Sequence, residues 1–282
     1  MTLIAIKRDK ETVSFASDSR ISFGEDGYFD KGIKIFSVPL KIRGLPKTKE
    51  EIRNHVYEYE YDYGLAVVGS STNAYTIKDS IVEILPNIQY LTNLSNFSIY
   101  AIGDLVLDVY RKVSHDLTAI MREKGHCEII LGGYCIFSKK IKILRFYHIR
   151  NENNIEYQFE EILSQNGMIF FGSGKTLAKE ILSKNPSFSS LQIIKKVIIS
   201  KNEKTVGGPL QYGFFAKNNF QVTGVWEKYI DHAGNSVKVL KYRRGFIVKD
   251  DLKKALKPPY LSITYGYMPV ELDINEYDEL DS

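Results

Sequence analysis

The sequence predicts an α+β fold: two mainly antiparallel β-sheets packed face to face, with a pair of helices outside each. Strand-like runs come in consecutive blocks instead of alternating with helices, which argues against βαβ units and a parallel sheet. The helical stretches come as two pairs, one in the middle of the chain and one later. The chain has 282 residues, 44% of them apolar and 26% charged, as in an ordinary globular protein of one large or two small units. A chain of that length holds a core without covalent staples.

Leu3–Arg8 and Thr12–Asp18 are short apolar-rich runs separated by Asp9, Lys10 and Glu11, the pattern of a hairpin. In the second run Val13, Phe15 and Ser17 alternate with Ser14, Ala16 and Asp18. A third strand fits Gly32–Val38. Residues 40–60 are densely charged and read as an inserted loop with room for a short helix. Tyr63–Gly69 is a strongly apolar strand. Ser70, Ser71 and Thr72 offer N-cap hydroxyls to an amphipathic helix that reaches Leu85, where Pro86 can end it. Ile102, Leu105, Val106, Val109, Val113 and Leu117 recur at helical spacing within a longer helix over 99–124. Strands follow at 127–137 and 141–149 with a turn at Ser138–Lys140, then at 155–161 and Gly167–Gly172. Helices fit 174–184 and 189–201. Strands resume after Thr205 and the chain closes in a polar tail.

Composition excludes several classes of function. Cys127 and Cys135 form no Cys-x-x-Cys pair and read as buried thiols in a reducing compartment. His55, His115, His126, His148 and His232 are never three or four residues apart, so no compact metal site is expected. A net charge of +4 is too mild for a nucleic-acid binder, and Lys139–Lys140 and Lys241–Arg244 read as solvated faces. No apolar run reaches the ~18 residues of a membrane span. No charged-then-apolar leader precedes the first strand, and a cytoplasmic protein is expected. Gly172–Thr176 tempts toward a phosphate loop, but the glycine such a loop requires five residues before its Gly-Lys-Thr is Ile169 here. No Gly-x-Ser-x-Gly elbow occurs, while a dispersed Ser–His–Asp set stays open, since triad members can lie anywhere in a chain.

The sharpest chemical signal is at the front. Removal of Met1 would give Thr2 a free α-amine beside its own hydroxyl. An α-amine titrates near ~7.7–8.0 and accepts a proton at neutral pH, so such a threonine carries its own general base. The segments that follow are Thr2–Lys7, Ser14–Arg20 with Asp18, Lys31–Phe36 with Lys34, and Leu65–Gly69. Together with Gly172–Gly174 before a helix and Thr205–Gly208 after the next, they resemble the proteasome β-subunit family and the peptidase subunit of the bacterial two-ring ATP-dependent protease. The separations of Thr2 from Asp18 and from Lys34 are those the family uses.

That resemblance covers residues 2–216. It implies the four-layer αββα sandwich of the N-terminal-nucleophile hydrolases and a threonine peptidase that works through an acyl-enzyme. Thr2 would be the nucleophile. Lys34 would be a buried cation that keeps the amine neutral, with Asp18 holding Lys34 charged. Gly69 would offer its backbone N–H to the oxyanion, and Ser173 would sit beside the amine. The family's second supporting aspartate falls at Glu203, and its serine before the glycine pair is Val206. The resemblance further implies self-assembly, a peptide substrate, no cofactor, and an ATP-driven unfoldase as a feeding partner. The expected organisation is a domain over 1–216 with an insertion at 40–62, then a strand-rich C-terminal extension over 217–282.

The residues also allow plainer roles. Asp18 and Lys34 could form an ordinary strand-edge ion pair, Gly69 could relieve a strand end, Ser173 could cap the next helix, and Glu203 could be a helix-end surface residue. Two other functions fit the same fold. One is a non-catalytic scaffold subunit, favoured by a retained Met1 and by Val206; the other is a small-substrate amidase or acyltransferase whose pocket the insertion reshapes.

Overall fold

The structure is a computed structural model and describes residues 2–23, 27–44, 48–50, 57–89, 97–151, 154–243, 246–247 and 266–273. The first sheet has the order β11-β1-β2-β12-β13-β14-β15, with β16 paired to β13. Its strands are β1 (Leu3–Asp9), β2 (Thr12–Ser17), β11 (Gly167–Gly172), β12 (Gln211–Ala216), β13 (Asn219–Ile230), β14 (Ser236–Arg243), β15 (Phe246–Ile247) and β16 (Tyr267–Asp273). The second sheet runs β10-β9-β8-β6-β5-β7. It consists of β5 (Ile35–Arg43), β6 (Tyr57–Gly69), β7 (Ile88–Gln89), β8 (Cys127–Cys135), β9 (Lys140–Asn151) and β10 (Asn154–Ile162). A separate small hairpin joins β3 (Ile21–Phe23) to β4 (Gly27–Phe29). Pairing is antiparallel except for β5 with β7 and β13 with β16.

The layers follow from side-chain alternation. Because successive residues of a strand face opposite ways, a strand buried on both faces serves two cores. In β1, Ile4 and Ile6 enter the inter-sheet core while Leu3 and Ala5 face a helix pair. In β6, Ala66 and Val68 point between the sheets, and Leu65 and Val67 point to the other helices. Those outer layers are α1 (Ser71–Ile84) and α2 (Ile99–Met121) on the second sheet, and α3 (Lys175–Lys184) and α4 (Ser190–Ser200) on the first. The result is the expected four-layer αββα sandwich.

The strands beyond Ala216 belong to the same sandwich. Phe220 of β13 stacks in the inter-sheet core against Phe15 and Phe215, ring centroids 5.1 Å from each. Val225, Tyr229, Val270 and Leu272 pack in the cluster that holds α4.

Three expectations are corrected. Within 40–60, residues 40–43 and 57–60 are paired strand, not loop: β5 and β6 form a long hairpin with Lys41 opposite Glu60 and Ile42 opposite Tyr59. Lys41 binds Glu60 at 2.6 Å and lies over the Tyr57 ring, so the charges belong to cross-strand pairs. Lys49 and Glu50 are helical, and residues 45–47 and 51–56 lie outside the described residues. The strand expected from Gly32 begins only at Ile35, because Lys34 turns inward ahead of it. Ser70 is the N-cap of α1 but makes no side-chain cap bond; its N–H goes instead to the His126 carbonyl, 2.7 Å away. Side-chain capping is found at α4, where Ser189 and Gln192 form a reciprocal capping box.

Candidate active site

The β1–β2 register pairs Ile4 with Ser17, which brings the residue before β1 beside the residue after β2. Those residues are Thr2 and Asp18. Asp18 is fully buried, and a bare carboxylate there would be several kcal/mol too costly. Five donors meet it. Its Oδ1 accepts from Lys34 Nζ at 2.8 Å, Leu3 N at 2.9 Å and Thr2 Oγ1 at 3.0 Å. Its Oδ2 accepts from Arg20 N and Gly207 N, both at 3.1 Å. Thr2, Asp18 and Lys34 therefore meet on one carboxylate oxygen.

Lys34 is buried, and burial pushes its ammonium below the ordinary lysine range while the Asp18 carboxylate pulls it back up. Its backbone is fixed on both sides. Lys34 N donates to Gln211 Oε1 at 3.0 Å, and its carbonyl accepts from Val67 N at 3.1 Å. The Gln211 amide also donates to the Gly32 carbonyl at 2.6 Å and to Ser19 Oγ at 2.9 Å. Gln211 thus ties the two segments that carry Asp18 and Lys34. Sequence reasoning missed it, although a glutamine that opens a strand of alternating apolar residues is a visible signal.

At the end of β11, Gly172 has φ +93°, and a Cβ there would collide with the Thr2 carbonyl. This is a close backbone approach that only glycine permits. It lets Ser173 N donate to the Thr2 carbonyl at 3.0 Å. Ser173 is not the cap of α3; that position is Gly174. The Ser173 hydroxyl instead lies 2.7 Å from Thr205 Oγ1 and 3.5 Å from the Thr2 carbonyl oxygen. Thr205 Oγ1 donates in turn to Glu203 Oε1 at 2.6 Å. Glu203 therefore reaches Thr2 only through two hydroxyls, and Thr205 was not anticipated. Val206, where the resemblance expected a serine, is buried against the α3–α4 layer.

Gly69 closes β6 with φ +98°, and a Cβ there would strike the His126 carbonyl. It lines a cavity of about 590 Å³ together with Thr2, Lys34, Thr205, His126 and the Arg20–Phe23 segment. That volume suits a small ligand or a side chain. Arg20 braces the cavity's edge. Its guanidinium makes a bidentate pair with Asp30, both bonds 2.7 Å, and donates to the Lys204 carbonyl at 3.1 Å. Asp30 pushes the Arg20 guanidinium above its ordinary pKa by that hydrogen bond.

Among the described residues no group of three or more His, Cys, Asp or Glu is placed to hold a metal ion. No helix among them is long and apolar enough to cross a membrane.

No family model matches the sequence, and no curated protein matches it. Solved structures do match in fold. Anbu (ancestral beta-subunit) from Yersinia bercovieri is 16% identical with a TM-score of 0.53, over 78% of this chain and 86% of that one. The helical assembly of the Anbu complex from Pseudomonas aeruginosa is 18% identical with a TM-score of 0.53, over 79% and 85%. Anbu from Hyphomicrobium sp. strain MC1 is 18% identical with a TM-score of 0.50 over the same shares. At these identities the likeness is one of fold alone, the four-layer αββα sandwich described above.

Proposed function

We propose that the protein is a threonine-type N-terminal-nucleophile hydrolase that cleaves amide bonds, a peptidase, once Met1 has been removed. The observation that carries this is the convergence of Thr2 Oγ1 and Lys34 Nζ on Asp18 Oδ1 beside an open cavity. The freed Thr2 amine takes the Oγ1 proton as the oxygen attacks the substrate carbonyl. The Lys34 charge favours the developing alkoxide and disfavours a second cation at the amine. The Gly69 N–H is the proposed oxyanion donor. Collapse of the tetrahedral intermediate breaks the C–N bond; the ammonium returns its proton to the leaving amine, leaving an ester on Oγ1 that water hydrolyses.

Ser173, with Glu203 behind it, is proposed to steady the Thr2 backbone and amine. Self-association is proposed from the fold likeness to a protein solved as a helical assembly. An ATP-driven unfoldase as a partner is proposed on the sequence resemblance, as is a core domain ending at residue 216 with the strands after it an extension of the same sandwich; a cytoplasmic setting is proposed from the free Cys127 and Cys135 thiols. The test is intact mass of the cell-made protein followed by labelling with a threonine-directed electrophile. Loss of one methionine and a single adduct on Thr2 are expected; retention of Met1 in all of the protein overturns the reading.

One observation favours a second reading, a non-catalytic scaffold. Asp18 already has five donors, so the Thr2–Asp18–Lys34 cluster is complete as a structural knot. In that case Met1 stays on and no adduct forms.

A further inference from the structure

We infer that a second cavity, which shares the turn at the end of α2 with the Thr2 cavity, binds an anionic group of two or more charges through Arg122, Lys124 and Arg150. This cavity holds about 740 Å³, room enough for a small ligand. Glu123 is the one carboxylate among its lining residues, against those three cations. Met121, Glu123, Lys124 and His126 line both cavities, so the two adjoin. The inference goes beyond the hydrolase reading and stands without it.

The plain role of a cation just past a helix is to offset the negative end of its dipole. That accounts for Arg122 and Lys124, which lie in the single helical turn Arg122–Gly125 after α2. It does not account for Arg150, which comes from β9, opposite Ile155, another lining residue. Among the described residues none of the three side chains makes an ion pair or a hydrogen bond. Other cations of β9 are engaged: Lys142 pairs with Glu161 at 2.9 Å, and Arg145 with Glu128 at 2.9 Å and Glu160 at 3.1 Å. Unpaired like charges around one concavity repel each other and concentrate counter-ions there. The backbone adds a separate observation. Arg122 holds φ +52° and ψ −131°, a conformation glycine enters freely and arginine does not. The turn by itself would be better served by glycine, so the guanidinium is the reason for arginine. A guanidinium bonds two oxygens of one phosphate or carboxylate at once, which sets the class of ligand. A free small anion presents that chemistry, and so do acidic side chains of a peptide that continues out of the Thr2 cavity.

The experiment titrates inorganic pyrophosphate into the full chain by calorimetry at constant ionic strength. One saturating site is expected. Arg122→Gly and Arg150→Gln should each weaken it about tenfold or more, since each removes a charge-assisted contact. Lys179→Gln removes the same charge from an exposed position on α3 that does not line the cavity, and should leave the affinity as it is. Arg122→Gly should melt no lower than the parent chain, because glycine relieves the turn, so its loss of binding is not loss of fold. No saturable binding by the parent chain overturns the inference. So does parent affinity in both arginine variants, or an equal loss in Lys179→Gln. A hexapeptide with two adjacent aspartates then identifies the source. If it displaces pyrophosphate and its alanine counterpart does not, the site takes acidic side chains of a peptide; if neither does, it takes a free anion, and either result keeps the site. Electrophile labelling of Thr2 is read separately. A chain that binds pyrophosphate and never labels keeps the site and sinks the hydrolase reading; a chain that labels and binds no pyrophosphate does the reverse.

Discussion

Among the described residues two lysine–carboxylate pairs are buried, and one of them, Lys34 with Asp18, lies beside the Thr2 cavity. Lys34 and Asp18 meet at 2.8 Å with side chains 5% and 0% exposed. Lys195 of α4 and Glu227 of β13 meet at 3.3 Å with side chains 2% and 1% exposed. By burial and chemistry the pairs are near equals. They differ in company. Around Asp18 are backbone N–H groups and the Thr2 hydroxyl, and Lys34 and Thr2 both line the cavity. Glu227 accepts from the Tyr229 hydroxyl at 2.7 Å, within the apolar cluster between α4 and the strands beyond Ala216, away from the residues that line that cavity. Burial of an ion pair is thus poor evidence of function by itself. A reacting hydroxyl and an opening beside it are what separate the pairs.

The largest effect expected is at Thr2. Thr2→Ala should abolish electrophile labelling altogether. It removes a hydrogen bond to a charged group, so a stability loss of about 1–3 kcal/mol accompanies it. Labelling at the parent rate in Thr2→Ala would place the nucleophile elsewhere and remove the chief distinction between the pairs.

Next in size are substitutions of Lys34. Lys34→Ala leaves Asp18 without its ammonium and should cost about 3–5 kcal/mol. Lys34→Met also strips the charge but keeps most of the volume, so it should lose less stability. Both should lose labelling. Denaturant melts and adduct formation on the two variants check this. Unchanged labelling in either makes Lys34 a purely structural partner, like Lys195.

The lysine on α4 supplies the counterpart. Lys195→Met should destabilise by an amount similar to Lys34→Ala, about 3–5 kcal/mol, while the surviving folded protein labels normally. A Lys195→Met, Glu227→Leu pair should recover much of that loss, because apolar groups of similar volume often replace a buried ion pair without penalty. A labelling defect in the folded double variant would mean that the two regions are coupled.

The unequal legibility of these regions has a physical cause. Thr2, Asp18 and Lys34 could be read in the sequence because their spacing matches that of the family it resembles, and the β1–β2 register is what holds Thr2 beside Asp18. The Glu203–Thr205–Ser173 chain could not be read, because a turn decides which of several adjacent side chains points inward, and here it selects Thr205 over Val206. The role of Gln211 is not legible in the sequence because its partners Asp18, Ser19, Gly32 and Lys34 are far away along the chain. The outer half of the β5–β6 hairpin reads as a loop in the sequence because it alternates tyrosine with glutamate at 57–60. Charge density hid a period of two, and Lys41 and Arg43 satisfy it from the facing strand by covering the Tyr57 ring. Lys195 and Glu227 gave no signal, since nothing local marks a helix lysine as buried.

The smallest effect concerns a third buried group, one that avoids charge instead of pairing it. His148 is half-buried beside His126, their rings edge to face with centroids 4.2 Å apart. Its Nδ1 lies 3.3 Å from the Tyr110 hydroxyl. Burial first, and the neighbouring His126 second, hold its pKa below the ordinary histidine value, while Glu128 pulls weakly the other way. The sign of the pH effect follows from linkage. Between the lowered folded pKa and the unfolded value of ~6.5, the unfolded chain binds more protons at this site. The contribution of His148 is therefore fully present above ~6.5 and lost as pH falls through the folded pKa. Melting temperature between pH 7.5 and about 5.5 should fall less steeply in His148→Phe than in the parent chain, since only the histidine gains a proton on unfolding. Equal slopes would mean that His148 takes up its proton in the folded state, beside His126, whose backbone carbonyl accepts the Ser70 N–H. That result would place a titrating charge against His126, which lines the Thr2 cavity together with Lys34.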